Sequence, residues 1–178
     1  TSVLSGTTID LGNSTDSLTL EAGGNTVSVA NIETVSGGSG DDNITDTGST
    51  TATTFDGRAG NDSISAGGGN DELIGGLGAG VDSLTGGAGS DTFSFLSASD
   101  SAPGSGDTIT DFDATDDSED INLNGFAAGG FVFLGNEAQA FSGGSNNSEA
   151  RFNDTSKLLE IDSDGDGIDD DDEGAWDN

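Results

Sequence analysis

The 178-residue chain sets 34 Asp and Glu against three Lys and Arg, a formal charge of −31, with 31 glycines and neither Cys nor His. Three cations cannot line a nucleic-acid backbone, an anionic membrane surface would repel the chain, and no apolar run approaches the roughly 18 residues that span a bilayer. Without His or Cys there is no histidine-based triad, thiolate nucleophile or ordinary zinc ligand set, so catalysis is not expected, and disulfides cannot staple the fold.

So few aliphatic residues under so much like charge would suit a disordered chain. The apolar residues are spaced rather than scattered, however, and outside the tail the acids come singly behind glycines. A divalent cation is the component such a composition lacks. The chain opens inside a repeat pattern with no signal-peptide features, which reads as a piece of a longer protein.

In chain order, large apolar residues fall at Ile9, Leu18, Val27, Val35, Ile44, Phe55, Ile64, Leu73, Leu84 and Phe93, with spacings of 8 to 11 that centre on nine. From residue 37 a full motif is visible, G-G-x-G-x-D-x-U-x with U apolar. GGSGDDNIT (37–45) and GGAGSDTFS (86–94) fit throughout; GRAGNDSIS (57–65) departs at Arg58 and AGGGNDELI (66–74) at Ala66. GGLGAGVDSLT (75–85) carries two extra residues before Asp82. Linker sequence does not hold apolar residues in register in this way. Residues 1–36 read as degenerate repeats of the same kind, retaining Asp16 and Gly23-Gly24. The Thr-rich piece DTGSTTATTF (46–55) fills one repeat slot without an acidic turn, and no ion is expected there.

Nine residues make one six-residue turn and one three-residue strand. Glycine supplies the positive φ and close chain approach of the turn, and the single U side chain of each strand points inward. Two units form one coil, which stacks turn 37 on 57, 57 on 75 and 66 on 86. Turns of this kind converge carbonyls and an Asp carboxylate on one spot, a set of hard oxygens that suits Ca2+ with its irregular shell of about six to eight ligands.

These repeats resemble those of the RTX family of bacterial secreted proteins, and the resemblance implies an all-β fold: a right-handed parallel β-roll, or β-solenoid, followed by a mixed or antiparallel capping subdomain. It implies that one turn of each stacked pair gives the carbonyls of motif positions 1 and 3 and its Asp, and that the partner gives the carbonyls of positions 2 and 4 and its Asp. Carried over, the sites are Gly37, Ser39 and Asp42 with Arg58, Gly60 and Asp62; Gly57, Ala59 and Asp62 with Gly76, Gly78 and Asp82; and Ala66, Gly68 and Asp71 with Gly87, Gly89 and Asp91. Arg58 is tolerable at position 2, where the turn uses the backbone carbonyl and the side chain can point to solvent.

FSFLSASDSAPGSGDTITDFDATDDSEDINLNGF (93–126) resembles the cap that follows the repeats in serralysin-type proteases, where a D-T-I-x-D-F segment leads to a short strand. Asp107 and Asp111 read equally as ligands of a further ion and as ordinary turn residues. FVFLG (131–135), EARFND (149–154) and KLLEID (157–162) read as antiparallel strands that close the roll and bury Phe112, Phe126, Phe131, Phe133, Phe141, Phe152 and Leu158. The predicted organisation is a roll over 1–95, degenerate over 1–36 and calcium-binding over 37–95, with a cap over 96–178.

Residues 162–173, DSDGDGIDDDDE, fit the loop pattern D-x-D-x-D-G-x5-E, with candidate ligands Asp162, Asp164, Asp166, the Ile168 carbonyl, Asp170 and Glu173. The loop resembles those of dockerins, thrombospondin type 3 repeats and RTX caps more than a helix-flanked EF-hand. Across the chain about three to six calcium ions are expected. The resemblance further implies passage unfolded through the type I secretion machinery, folding outside the cell on meeting calcium, and a secreted or cell-surface bacterial location. The module would serve a large extracellular protein such as an adhesin, with parent domains upstream. The alternative is the C-terminal module of a secreted hydrolase, a serralysin-like protease or a lipase.

Overall fold

The structure is a computed structural model that describes residues 8–78, 80–97, 100, 106–112 and 119–123, and the backbone of 131–136, 148–153 and 158–162. It divides into two compact units, residues 1–122 and 123–178.

The first unit is a parallel β-solenoid. Its strands are β1 (Thr8–Asp10), β2 (Ser17–Thr19), β3 (Thr26–Ala30), β4 (Thr34–Ser36), β5 (Asn43–Asp46), β6 (Thr54–Asp56), β7 (Ser63–Ser65), β8 (Glu72–Ile74), β9 (Ser83–Thr85), β10 (Thr92–Ser94), β11 (Thr108–Ile109) and β12 (Asp120–Asn122). Odd strands form one six-stranded sheet, β1-β3-β5-β7-β9-β11, and even strands the other, β12-β10-β8-β6-β4-β2. Because successive strands alternate between sheets, every neighbour within a sheet lies one full coil away in sequence. The solenoid runs on past the last nonapeptide: β11 pairs with β9 and β12 with β10.

Most of these strands are so short that a single residue faces inward, and the register places those residues in two columns. Val27, Ile44, Ile64 and Leu84 stack on one sheet, and Val35, Phe55, Leu73 and Phe93 on the other. All eight are buried, and each contributes roughly 1.5–3 kcal/mol through burial. The repeating U of the sequence is this core. At its C-terminal end Phe93 meets Phe112 edge to face, with ring centroids 6.2 Å apart.

The degenerate N-terminal repeats join the stack with one change. Ile9 pairs with Val29 rather than with Val27, because β3 is five residues long and turns two valines inward. The turn ahead of β4 shrinks to residues 31–33, where Asn31 takes φ 52° and Ile32 is buried. A small αL residue and an inward aliphatic side chain thus replace the glycine turn, which accounts for the eight-residue step from Val27 to Val35.

The second unit contains a three-stranded sheet of β13 (Phe131–Asn136), β14 (Ser148–Asn153) and β15 (Leu158–Asp162), in the order β13-β14-β15. The expected antiparallel pairing holds for β14 and β15, whereas β13 and β14 run parallel with a register shift between Phe133 and Asn136. A parallel pair requires the chain to return to its starting side between the two strands. Of the expected cap core, Phe126, Phe131, Phe133, Phe141, Phe152 and Leu158 lie outside the residues whose side chains are described. Among the described residues no helix is long and apolar enough to cross a membrane.

Candidate metal centres

The turns form two edges. Those ahead of β3, β5, β7 and β9 stack along the first edge, and those ahead of β2, β4, β6, β8 and β10 along the second. On the first edge a ladder of hydrogen bonds links successive coils. The N–H of Asn25 donates to Oδ1 of Asp42 at 2.7 Å, Asp42 N–H to Asp62 Oδ1 at 2.7 Å, Asp62 N–H to Asp82 Oδ1 at 2.7 Å, and Asp82 N–H to Asp107 Oδ1 at 2.8 Å. On the second edge Asp71 N–H donates to Asp91 Oδ1 at 2.9 Å and Thr53 N–H to Asp71 Oδ1 at 2.8 Å. The position-6 Asp of the motif is therefore both the end of one turn and the link to the previous coil.

One oxygen of each carboxylate is committed to this ladder, and the other faces its own turn. Asp62 Oδ2, Asp71 Oδ2 and Asp91 Oδ2 are buried without a hydrogen-bond partner, while Asp42 Oδ2 accepts from Gly38 N–H at 2.7 Å. Ahead of Asp62 and Asp91 the first glycine of the motif makes the space, whereas Ala66 holds that position ahead of Asp71. A Cβ on Gly57 would lie 2.5 Å from Asp62 Oδ2 and against the carbonyl oxygen of Gly75; on Gly86 it would meet Asp91 Oδ2. At Gly57 carboxylate oxygen and stacked carbonyl thus converge in a cradle that a side chain there would fill.

Burial raises the pKa of Asp62, Asp71, Asp82, Asp91 and Asp107 in these ladders. Desolvation, with smaller repulsion from Asp82, Asp42 and Asp41, pushes Asp62 up to about 7. Desolvation and the Asp91 charge push Asp71 up to about 6, and desolvation with Asp82 and Asp100 pushes Asp107 up to about 7. Asp82 and Asp91 are raised for the same leading reason. A stack of desolvated anions with orphan oxygens is costly unless a cation joins it. The donor set is carboxylate and carbonyl oxygen alone, so it fits Ca2+ in character.

The turn at 57–62 accommodates Arg58 in the left-handed region at φ 73°. Its carbonyl accepts from Leu77 N–H at 2.9 Å, and its exposed side chain approaches Asp56 at 3.8 Å. In the turn at 75–82, Leu77 and Val81 are exposed while Asp82 is buried. The ladder is kept through this longer turn.

Asp107 continues the first-edge ladder. Asp111 instead accepts from the N–H groups of Gly86 and Gly87, at 3.0 and 2.8 Å, and so braces the turn at 86–91. Asp162 is the last residue of β15; Asp164, Asp166, Ile168, Asp170 and Glu173 lie outside the described residues.

Several participants escape the motif. Asn25 begins the first-edge ladder in place of an Asp, and its side-chain amide also donates to Asp42 Oδ1 at 2.7 Å. Glu33 Oε2 accepts from Asp16 N–H at 2.7 Å. Asp100 is buried and folds the chain after β10 by accepting from Leu96 and Ser97 N–H at 2.9 Å each. An outer ladder joins the fifth motif positions, with Asn61 N–H donating to Asp41 Oδ1, Val81 N–H to Asn61 Oδ1 and Ser90 N–H to Asn70 Oδ1. The recurrence of Asp or Asn immediately before the motif Asp was the sequence signal for this last ladder; nothing comparable marks Glu33 or Asp100.

No curated protein matches the chain. The family described as Peptidase M10 serralysin C terminal matches it over residues 8–173, a span that takes in the solenoid, the three-stranded sheet and the acidic loop. The match is to the C-terminal portion that gives the family its description, and the stacked glycine turns with their buried carboxylates are the features on which such a β-roll is built: the chain belongs to the serralysin C-terminal family.

Proposed function

We propose that this chain is a calcium-dependent folding, stability and secretion module of a larger extracellular bacterial protein. The observation that carries the reading is the set of buried, unpartnered Oδ2 atoms of Asp62, Asp71 and Asp91 at stacked turns. Calcium would lie between turns 37–42 and 57–62, between 57–62 and 75–82, and between 66–71 and 86–91. The carboxylates of Asp42, Asp62, Asp71, Asp82 and Asp91, with carbonyls of Gly37, Ser39, Gly57, Arg58, Ala59, Gly60, Ala66, Gly68, Gly76, Gly78, Gly87 and Gly89, would hold it. A further ion in the loop at 162–173 is part of the same reading.

Bound calcium would neutralise two carboxylates per site and clamp adjacent coils. Its binding free energy then becomes folding free energy. Extracellular calcium modules operate at about 10⁻⁴–10⁻³ M, so the chain would stay unfolded in the cytosol, pass through the type I secretion channel in that state and fold outside. The region after the nonapeptides, whose first strands β11 and β12 continue the solenoid, would fold first, ahead of the repeats. Circular dichroism with EGTA and then with millimolar Ca2+ tests the reading: a disordered spectrum should become a β spectrum, and a fold indifferent to chelator would overturn it.

Two parents suit such a module. A large surface protein such as an adhesin accords with the degenerate repeats before residue 37. The C-terminal module of a secreted hydrolase is favoured by the family match itself. The sequence encoded immediately upstream separates them: an H-E-x-x-H or G-x-S-x-G domain supports the hydrolase, and further extracellular repeats support the adhesin.

A further inference from the structure

The turn over residues 46–53 carries Thr53 where its neighbours on the second edge carry Asp71 and Asp91, and the sequence predicts no ion in that slot. Thr53 keeps the backbone part of the position, donating its N–H to Asp71 Oδ1 at 2.8 Å. Its hydroxyl is turned to the Ile32 carbonyl at 2.7 Å. A carboxylate reaches the turn from its other end. The pairing of Thr45 with Ser65 brings Asp46 opposite Ala66, at the first position of the turn.

Asp46 is 5 % exposed, and its Oδ2 is buried with no hydrogen-bond partner. Its Oδ1 accepts from Ser49 N–H at 3.2 Å. Across the stack Asp71 is 2 % exposed, and its Oδ2 is also buried and unpartnered. The two side chains are close enough for the Asp46 charge to help raise the Asp71 pKa. Between them the backbones approach closely: a Cβ on Gly67 would lie 3.1 Å from the Asp46 carbonyl oxygen, and one on Gly68 would lie 3.0 Å from the Ser49 carbonyl oxygen. The buried Asp46 carboxylate, the Ser49 carbonyl and the turn that carries Asp71 therefore meet at one junction of coils.

The geometry points to a hard divalent cation bound between turns 46–53 and 66–71, with Asp46 supplying, from the start of its turn, the carboxylate that Thr53 lacks at the end. This rests on the calcium reading of the neighbouring turns, and it extends the row of ions on the second edge by one coil toward the N-terminus. An Asp46 that simply stays protonated in its buried position is the competing account.

Calcium is counted by native mass spectrometry and by equilibrium dialysis on the intact chain, on Asp46→Asn, and on Asp46→Asn combined with Thr53→Asp. Asp46→Asn should bind one ion fewer than the parent while keeping the calcium-induced β spectrum, and Thr53→Asp should restore the missing ion. Equal counts for the parent and Asp46→Asn overturn the site and leave the module reading intact; a parent that binds no calcium sinks the module reading as well. If Asp46→Asn does not fold at any calcium concentration, anomalous diffraction from calcium-grown crystals of the unaltered chain decides. A peak coordinated by Asp46 and Asp71 supports the site, and its absence there overturns it.

Discussion

The backbone N–H of Asp42 donates to the carboxylate of Asp62, 2.7 Å away and one coil further along the chain. The same Asp62 donates its own N–H to Asp82. One residue type at one spacing is thus a structural acceptor and, under the proposed calcium reading, a metal ligand as well; the two roles oppose each other when no metal is present, since the acceptor must be buried and buried charge is costly.

Asp62→Asn separates these roles. The amide keeps an acceptor for Asp42 N–H and removes the buried charge, so the calcium-free chain should be no less structured than the parent. With calcium it should lose affinity, shifting the titration midpoint by about tenfold or more. Asp62→Ala should be worse under both conditions, because it also strands a buried N–H at a cost of about 1–3 kcal/mol. Calcium titrations followed by circular dichroism check both, and equal midpoints for parent and Asp62→Asn would contradict the ligand assignment.

Acid should substitute in part for calcium. The unfolded carboxylates titrate near 3.8, whereas Asp71 is raised to about 6 and Asp62 and Asp107 to about 7 in the fold. The folded chain therefore binds more protons, and this contribution to stability is fully present below pH about 4 and lost as pH rises through about 6 to 7. In EGTA, β content should increase when the pH is lowered from 8 to 5. With calcium present, the midpoint should move to higher calcium over the same range as protons compete. A metal-free chain that loses β structure on acidification would refute the assignment.

Arg58→Gly should stabilise the calcium-loaded fold. Arg58 holds φ 73°, a region costly for a side chain and free for glycine, while its exposed pair with Asp56 at 3.8 Å is worth little. The gain should be up to about 1 kcal/mol by urea denaturation in saturating calcium, offset in part by the freer unfolded chain. The calcium midpoint should be nearly unchanged, because the position serves through its carbonyl.

Gly89→Ala and Gly12→Ala contrast close packing with backbone strain. Both glycines have positive φ, 140° and 95°, but a Cβ on Gly89 would collide with the Gly69 carbonyl, whereas one on Gly12 meets open space. Gly12→Ala should cost roughly 1 kcal/mol. Gly89→Ala should force the stacked turns apart and abolish ordered binding on the second edge, seen as a reduced calcium count in native mass spectrometry.

The sequence by itself determined the repeat, the inward-facing residues from Val27 to Phe93 and the identity of the buried position-6 acids. Each follows from local rules: a three-residue strand has one inward side chain, and a glycine turn has one place for a carboxylate. Tertiary structure alone decided which further groups enter the stack. Ile9 meets Val29 because β3 carries two inward valines, Glu33 and Asn25 stand in for Asp, and Asp46 is buried at the start of a turn whose end holds Thr53. These depend on the register between coils about twenty residues apart, and that register is set by the summed lengths of the intervening turns rather than by any residue in them. A motif reads one turn at a time, whereas a site between turns belongs to two coils at once.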